Sequence, residues 1–167
     1  MPKDDGMRIR ELRRIAGDVD AAADVLRQAF ATVAQRFALT KENCPRSPAF
    51  ATNERVVEEM ERGVRYYLLH AGARTCGCVA LEHAKPEVVY LERLGVVPER
   101  RARGYGSTLV RHVLTEAKAL GAGRVEIGII ADDTQLQGWY QRFGFEQTKT
   151  KRFDHLPFLV GFLAKEL

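Results

Sequence analysis

LGVVPERRARGYGSTLV, residues 94–110, carries the end of a strand, a loop and the start of a helix. Pro98 stops the apolar run that precedes it, since proline cannot donate to a ladder. Arginines then crowd the loop at 100, 101 and 103. Gly104 and Gly106 fall where loop becomes helix. Behind them Leu109, Val110, Val113, Leu114, Ala117 and Leu120 recur at helical spacing until Gly121 and Gly123 end the pattern. Backbone N–H groups beside such glycines can approach an anion without Cβ interference, at the positive end of a helix dipole. Ser107 adds a hydroxyl, and Arg101 and Arg103 add charge. The segment has the makings of a pyrophosphate cradle. It lacks the Gly-Lys-Ser/Thr ending of a Walker A loop, and Leu109 stands where a dinucleotide fingerprint needs its third glycine.

Working outward, the preceding residues read as strands. VRYYLLH at 64–70 and TCGCVALE at 75–82 flank a hairpin turn at Ala71–Arg74, and VVYLERLGVV at 88–97 follows Pro86. Nearer the N-terminus, Met7 to Ile15 suits a first strand, and Asp18 is a candidate N-cap. Val19, Ala22, Leu26, Phe30, Val33 and Phe37 then recur at helical spacing. Residues 39–50, with Asn43, Pro45 and Pro48, read as a loop before a shorter helix that opens at Thr52 or Asn53 and turns Val56, Val57 and Met60 inward. After the glycine loop come a strand at 124–131, a helix at 133–143, and strands at 145–153 and 158–164. The order β-α-α-β-β-β-α-β-α-β-β describes a single domain over 1–167 of α+β, or mixed α/β, class. The strands before and after the 104–120 helix are expected to pair in parallel, because a crossover of that length permits it.

The composition of 46% hydrophobic and 29% charged residues excludes a disordered chain. The longest apolar stretch, Leu156 to Ala164, is about half of a bilayer span, so no membrane partner is expected. MPKDDGMRIRELRR has neither an apolar core nor a small-residue cleavage site, and the three cysteines Cys44, Cys76 and Cys78 cannot all pair. Both features fit a cytoplasmic setting. His70, His83, His112 and His155 show no ligand spacing, so no metal is expected. Arg93, Arg100, Arg101, Arg103 and Arg111 suit an anionic ligand, with a phosphorylated cofactor and nucleic acid both in view. A helix reading DNA needs a continuing basic face, yet after Arg111 this one carries only Lys118 beside Glu116, which argues against nucleic acid.

Arg101-Ala102-Arg103-Gly104-Tyr105-Gly106 resembles the Arg/Gln-x-x-Gly-x-Gly/Ala acyl-CoA loop of the GNAT superfamily of N-acetyltransferases. Downstream, Trp139-Tyr140-Gln141-Arg142-Phe143-Gly144-Phe145 is similar to that family's aromatic-Tyr-x-x-x-Gly-Phe element. The resemblance implies a mostly antiparallel sheet of six or seven strands, a parallel splayed pair at strands four and five, and about four flanking helices. It implies acetyl-CoA as cosubstrate, with the pantetheine arm along Leu94 and Val96 and the pyrophosphate on the amides from Arg103 to Ser107, Tyr105 included. Asp133 stands where the family usually has an asparagine that touches the pantetheine. It is read here either as a cofactor contact or as a plain N-cap, and an ionised Asp cannot donate. Leu136 replaces a usually small residue. The acceptor site, by the same resemblance, is built by the first two helices, the 39–51 loop and the later strands, and leaves the amine acceptor and any homodimer undetermined.

Acetyl transfer to an amine needs a base for the ammonium and an acid for the departing thiolate. Tyr140 occupies the family position for the acid, with a phenol of pKa about 10 against a thiol of roughly 8.5; a buried aromatic face with Trp139 and Phe143 is the structural alternative. For the base, Tyr90, Glu92, Leu94 and Val96 alternate onto one strand face, and Glu92 is the carboxylate among them. Glu126 on the neighbouring strand, a water relay, and no dedicated base at all are the competing choices. The implied activity is an N-acetyltransferase acting by direct attack in a ternary complex; the alternative is a CoA-binding sensor module without turnover.

Overall fold

A computed structural model describes residues 6–167; the first five residues, part of the stretch read above for a leader, lie outside them. Seven strands form one sheet in the order β1-β2-β3-β4-β5-β7-β6. They are β1 Met7–Glu11, β2 Arg65–Ala71, β3 Arg74–Lys85, β4 Val88–Val96, β5 Arg124–Ile130, β6 Glu146–Arg152 and β7 Leu159–Glu166. The helices are α1 Ala16–Arg36, α2 Asn53–Glu61, α3 Tyr105–Ala119 and α4 Thr134–Gln141. Every pairing is antiparallel except β4 with β5. The α+β class and the parallel pair thus stand as the sequence implied.

The helices cover both faces of the sheet. Gly77 and Val96 pair across β3 and β4, as do their neighbours Cys78 and Gly95. Successive residues of a strand point to opposite faces. A Cβ on Gly95 would meet the Cβ of Ala29 in α1 at 2.7 Å, and one on Gly77 would meet Leu109 of α3 at 3.0 Å. So α1 lies on one face and α3 on the other, each close enough to require a glycine beneath it. The small residues Ala22, Ala23 and Ala29 let α1 approach, with Val25 and Leu26 buried beside them. On α3, Leu109, Val110, Val113 and Ala117 make the buried stripe.

Three details differ from the sequence reading. The first strand stops at Glu11, and α1 starts at Ala16 with Ile15 as its N-cap. Asp18 lies inside the first turn instead, where Arg10 donates both terminal nitrogens to it at 2.7 and 2.8 Å and the Arg13 backbone N–H donates at 2.9 Å. This buried carboxylate ties the first strand to α1, and the hydrogen bonds from Arg10 hold its pKa far below the ordinary range. Within the 39–50 loop, Pro48–Phe50 form a short 3-10 turn capped by the Ser47 hydroxyl, and Cys44 and Ser47 are buried.

The third difference positions the site. Ala80 pairs with Glu92, but Cys78 pairs with Gly95, so β4 carries one extra residue between them. Arg93 sits in this bulge at φ 53°. A bulge leaves a residue unpaired and bends its strand. The face shared by Tyr90 and Glu92 therefore passes to Gly95 rather than Val96, and the simple alternation expected along β4 breaks. β4 parts from β5 just before this bulge, while its pairing with β3 resumes after it. Only Val88, Val89 and Tyr90 pair with β5, whereas β5 itself stays bonded to β7 through Ile130.

Candidate active site

The diverging strands open a cleft of about 740 Å³. Its floor is β4 from Tyr90 to Leu94 and β5 from Glu126 to Ile130; Phe30 and Val33 of α1, the Cys44–Pro48 loop, Tyr140 of α4 and Phe158, Val160 and Phe162 near or on β7 complete the walls. Two sequence-selected groups, Glu92 and Tyr140, meet in this one space.

Glu92 is only partly exposed. Burial penalises its charged form, and the neighbouring Glu82 carboxylate repels it and shares a hydrogen bond with it, while Arg93 acts in the opposite sense. The result is a carboxyl held up at about 7. A base poised there is half-ionised at neutral pH, the condition under which it can both take and release a proton. Glu126 also lines the cleft, but Arg124 donates to it at 2.7 Å, which commits that carboxylate to an ion pair.

Tyr140 is 5% exposed and packs edge-on against Trp139 and Phe145, with ring centroids 4.9 and 5.7 Å away. Burial alone pushes its phenol well above the ordinary tyrosine range, so it stays protonated. Both readings of this residue therefore describe the same side chain: its ring belongs to the core and its edge lines the cleft.

Under the bulge lies a buried cluster that sequence reasoning missed. Arg93 donates to Glu59 of α2 at 2.5 Å, and the Tyr66 hydroxyl donates to the other oxygen of the same carboxylate. Glu59 is 2% exposed. Its spacing of three from Val56 on the inward stripe of α2 was the available signal. The cluster fixes α2 to the point where β4 bends.

At the far end of β4, Gly104 caps α3 at φ 83°, and no side chain caps the helix. The first N–H groups of a helix have no partner within it; here the first intrahelical bond recorded is from Thr108 N–H to the Gly104 carbonyl at 3.0 Å. The amides up to Ser107 are left to point at a ligand. A Cβ on Gly106 would meet Trp139 of α4 at 3.3 Å, so the glycine keeps this entrance narrow and clear. Tyr105 turns its ring into the core and offers only its backbone, whereas Arg103 is exposed. These features fit a pyrophosphate. Arg101 does not join them: its guanidinium donates to the carbonyls of Val96 and Ala29, at 3.1 and 2.7 Å, and to the Thr32 hydroxyl at 3.1 Å. It staples the end of β4 to α1. Leu94 lines the cleft beside the free edge of β4, while the Val96 carbonyl is already held by that staple. Asp133 is the N-cap of α4, accepting from Leu136 N–H at 3.2 Å and lying 3.5 Å from Arg36. Both contacts are to Oδ1, and the residue borders the cleft.

The model of the acetyltransferase (GNAT) family matches residues 30–145, well over half of the chain. The chain belongs to this family. Among relatives, the Uncharacterized N-acetyltransferase YvbK of Bacillus subtilis (strain 168) is 32% identical over 104 residues, which span 62% of this chain and 64% of that protein, less than two thirds of its length. The PaiA N-acetyltransferase of Thermoplasma acidophilum, solved with coenzyme A, superposes with a TM-score of 0.77 at 16% identity, covering 96% of this chain and 99% of that one. A GNAT family acetyltransferase of Elizabethkingia anophelis with acetyl-CoA bound gives 0.70 at 17% identity, covering 96% and 98%. At such identities these two structures establish a shared fold. Among the described residues of this GNAT protein no helix is long and apolar enough to cross a membrane, and no group of three His, Cys, Asp or Glu is placed to hold a metal ion.

Proposed function

We propose that this protein is an acetyl-CoA-dependent N-acetyltransferase that acetylates a primary amine by direct attack in a ternary complex. The observation that carries the reading is the convergence, in one cleft between the parting strands β4 and β5, of a carboxyl held near 7 and a protonated tyrosine, with an uncapped glycine helix start at the end of the same strand.

The residues divide the work as follows. The amides from Gly104 to Ser107 and the α3 dipole hold the pyrophosphate, with Arg103 adding charge from solvent. The edge of β4 beyond Tyr90, free of β5, takes the amide-bearing pantetheine arm as an added strand would be taken, near Leu94 and Val96. Glu92 accepts a proton from the acceptor ammonium. The freed amine attacks the thioester carbonyl carbon, forming the C–N bond. Collapse of the tetrahedral intermediate breaks the C–S bond; Tyr140 gives its proton to the departing thiolate, and the second proton lost by the attacking nitrogen returns through solvent to the Tyr140 oxygen, leaving the neutral amide. Asp133 positions α4, and thereby Tyr140, from its cap.

Thiol release measured with a panel of amines and acetyl-CoA tests the proposal. Amine-dependent release supports it. Tight CoA binding without release from any amine leaves a binding module and overturns the enzyme reading.

A further inference from the structure

The charged groups around the cleft are not equivalent, and their pairing sorts them. Arg93 is held by Glu59, Glu126 by Arg124, and Asp133 by Arg36. Among the described residues three charged lining groups form no ion pair: Glu92 on β4, beside Glu82, and Arg46 and Lys149 at the exposed rim. Arg46 projects from the loop after α1 and is exposed; Lys149 is exposed on β6, its Nζ 5.4 Å from the Phe162 ring centre. Between floor and mouth the lining is mostly carbon, from Phe30, Val33, Leu39, Leu156 and Phe158.

We infer that the acceptor is an amino acid with amine and carboxylate at opposite ends of its carbon chain: an amine delivered to Glu92, an apolar framework across the cleft, and a carboxylate met at the rim by Arg46 and Lys149. The inference rests on the acetyltransferase reading and specifies its substrate class. A cation entering the floor meets a carboxyl, and a carboxylate left at the mouth meets two cations, so both ends of such a molecule are satisfied. A polyamine would instead set its second ammonium against Arg46 and Lys149. A simple alkylamine would leave both cations unanswered. Arginine and lysine at the mouth retain solvent, so they contribute selectivity at modest desolvation cost.

Three acceptors with one six-carbon skeleton test this: norleucine, 6-aminohexanoate and hexylamine. They vary the carboxylate and its distance from the amine while keeping the apolar length. At low ionic strength, kcat/KM for 6-aminohexanoate should exceed that for hexylamine at least tenfold, and norleucine, with both charges at one end, should lie below it. The ratio should fall with added salt, since exposed charges are screened. In Arg46→Glu and Lys149→Glu it should collapse toward one, with melting temperatures measured to confirm folding. Hexylamine, spermidine or norleucine acetylated in preference to 6-aminohexanoate, or a ratio unmoved in both variants, overturns the inference while leaving the enzyme reading intact. No thiol release from any amine by protein that binds CoA overturns the enzyme reading, and this inference falls with it.

Discussion

Replacing Glu59 by glutamine keeps the volume of the side chain and removes its charge. In the parent, one buried carboxylate accepts from Arg93 at 2.5 Å and from the Tyr66 hydroxyl. Glutamine has one acceptor oxygen and turns an N–H2 toward one of those donors. The Arg93 charge is then left unpaired in surroundings where the side chain is 16% exposed and its Nε already lacks a partner. Breaking a buried pair from one side costs about 3–5 kcal/mol. For a chain of this size each kcal/mol lowers the melting temperature by roughly 2–4 °C, so Glu59→Gln should lose about 6–20 °C. Urea denaturation at pH 7.5 should show the same loss in midpoint at unchanged slope. The double variant Glu59→Leu/Arg93→Met removes both charges and should recover most of it, because apolar replacements of a buried pair are often neutral. A Glu59→Gln midpoint within about 1 kcal/mol of the parent, or a double variant no better than the single one, would refute the claim that this pair holds α2 to the β4 bend.

Gly104→Val forces a β-branched residue into φ 83° and should abolish CoA binding by calorimetry, whereas Arg101→Ala should act mainly on stability because its guanidinium is spent on α1 and β4; equal loss of CoA affinity in both would place Arg101 on the phosphates after all. Tyr140→Phe should lower turnover by roughly 10²–10³ with little change in CoA affinity, and turnover within about twofold of the parent would return the proton to solvent. Asp18 has a depressed pKa in the fold, so its contribution is fully present above the unfolded carboxylate value near 4, shrinks steadily as pH falls below it, and is lost on passing the much lower folded value. Asp18→Asn should therefore be less stable than the parent at pH 7 and converge on it toward pH 2; a constant difference across that range would contradict the assignment.

Much of the fold was legible because it is written locally. The helical stripe behind Gly104, the hairpin at Gly72 and the crossover that makes β4 and β5 parallel depend on residues near one another in the chain. The two motifs placed the glycine helix start and Tyr140 for the same reason. What escaped depends on distant partners. Arg93, Glu59 and Tyr66 come from a strand, a helix and another strand, and nothing near Arg93 announces a positive φ in a residue other than glycine. Arg101 reads as a phosphate ligand until the fold brings Ala29 and Thr32 beside it. Asp18 reads as a cap until Arg10 reaches it from the first strand. Glu92 was visible as a carboxylate on the right strand, but its basicity comes from Glu82 across the ladder and from burial, which no spacing encodes.

The pH dependence of kcat/KM in the parent and in Glu92→Gln tests the account most directly. If Glu92 takes the ammonium proton, the parent profile rises through a group near 7 with unit slope and levels above it. Glu92→Gln should lose that limb and fall at least tenfold at pH 8, with CoA affinity retained. A variant that keeps both the limb and the rate contradicts the central claim, and the base must then be sought elsewhere in the cleft.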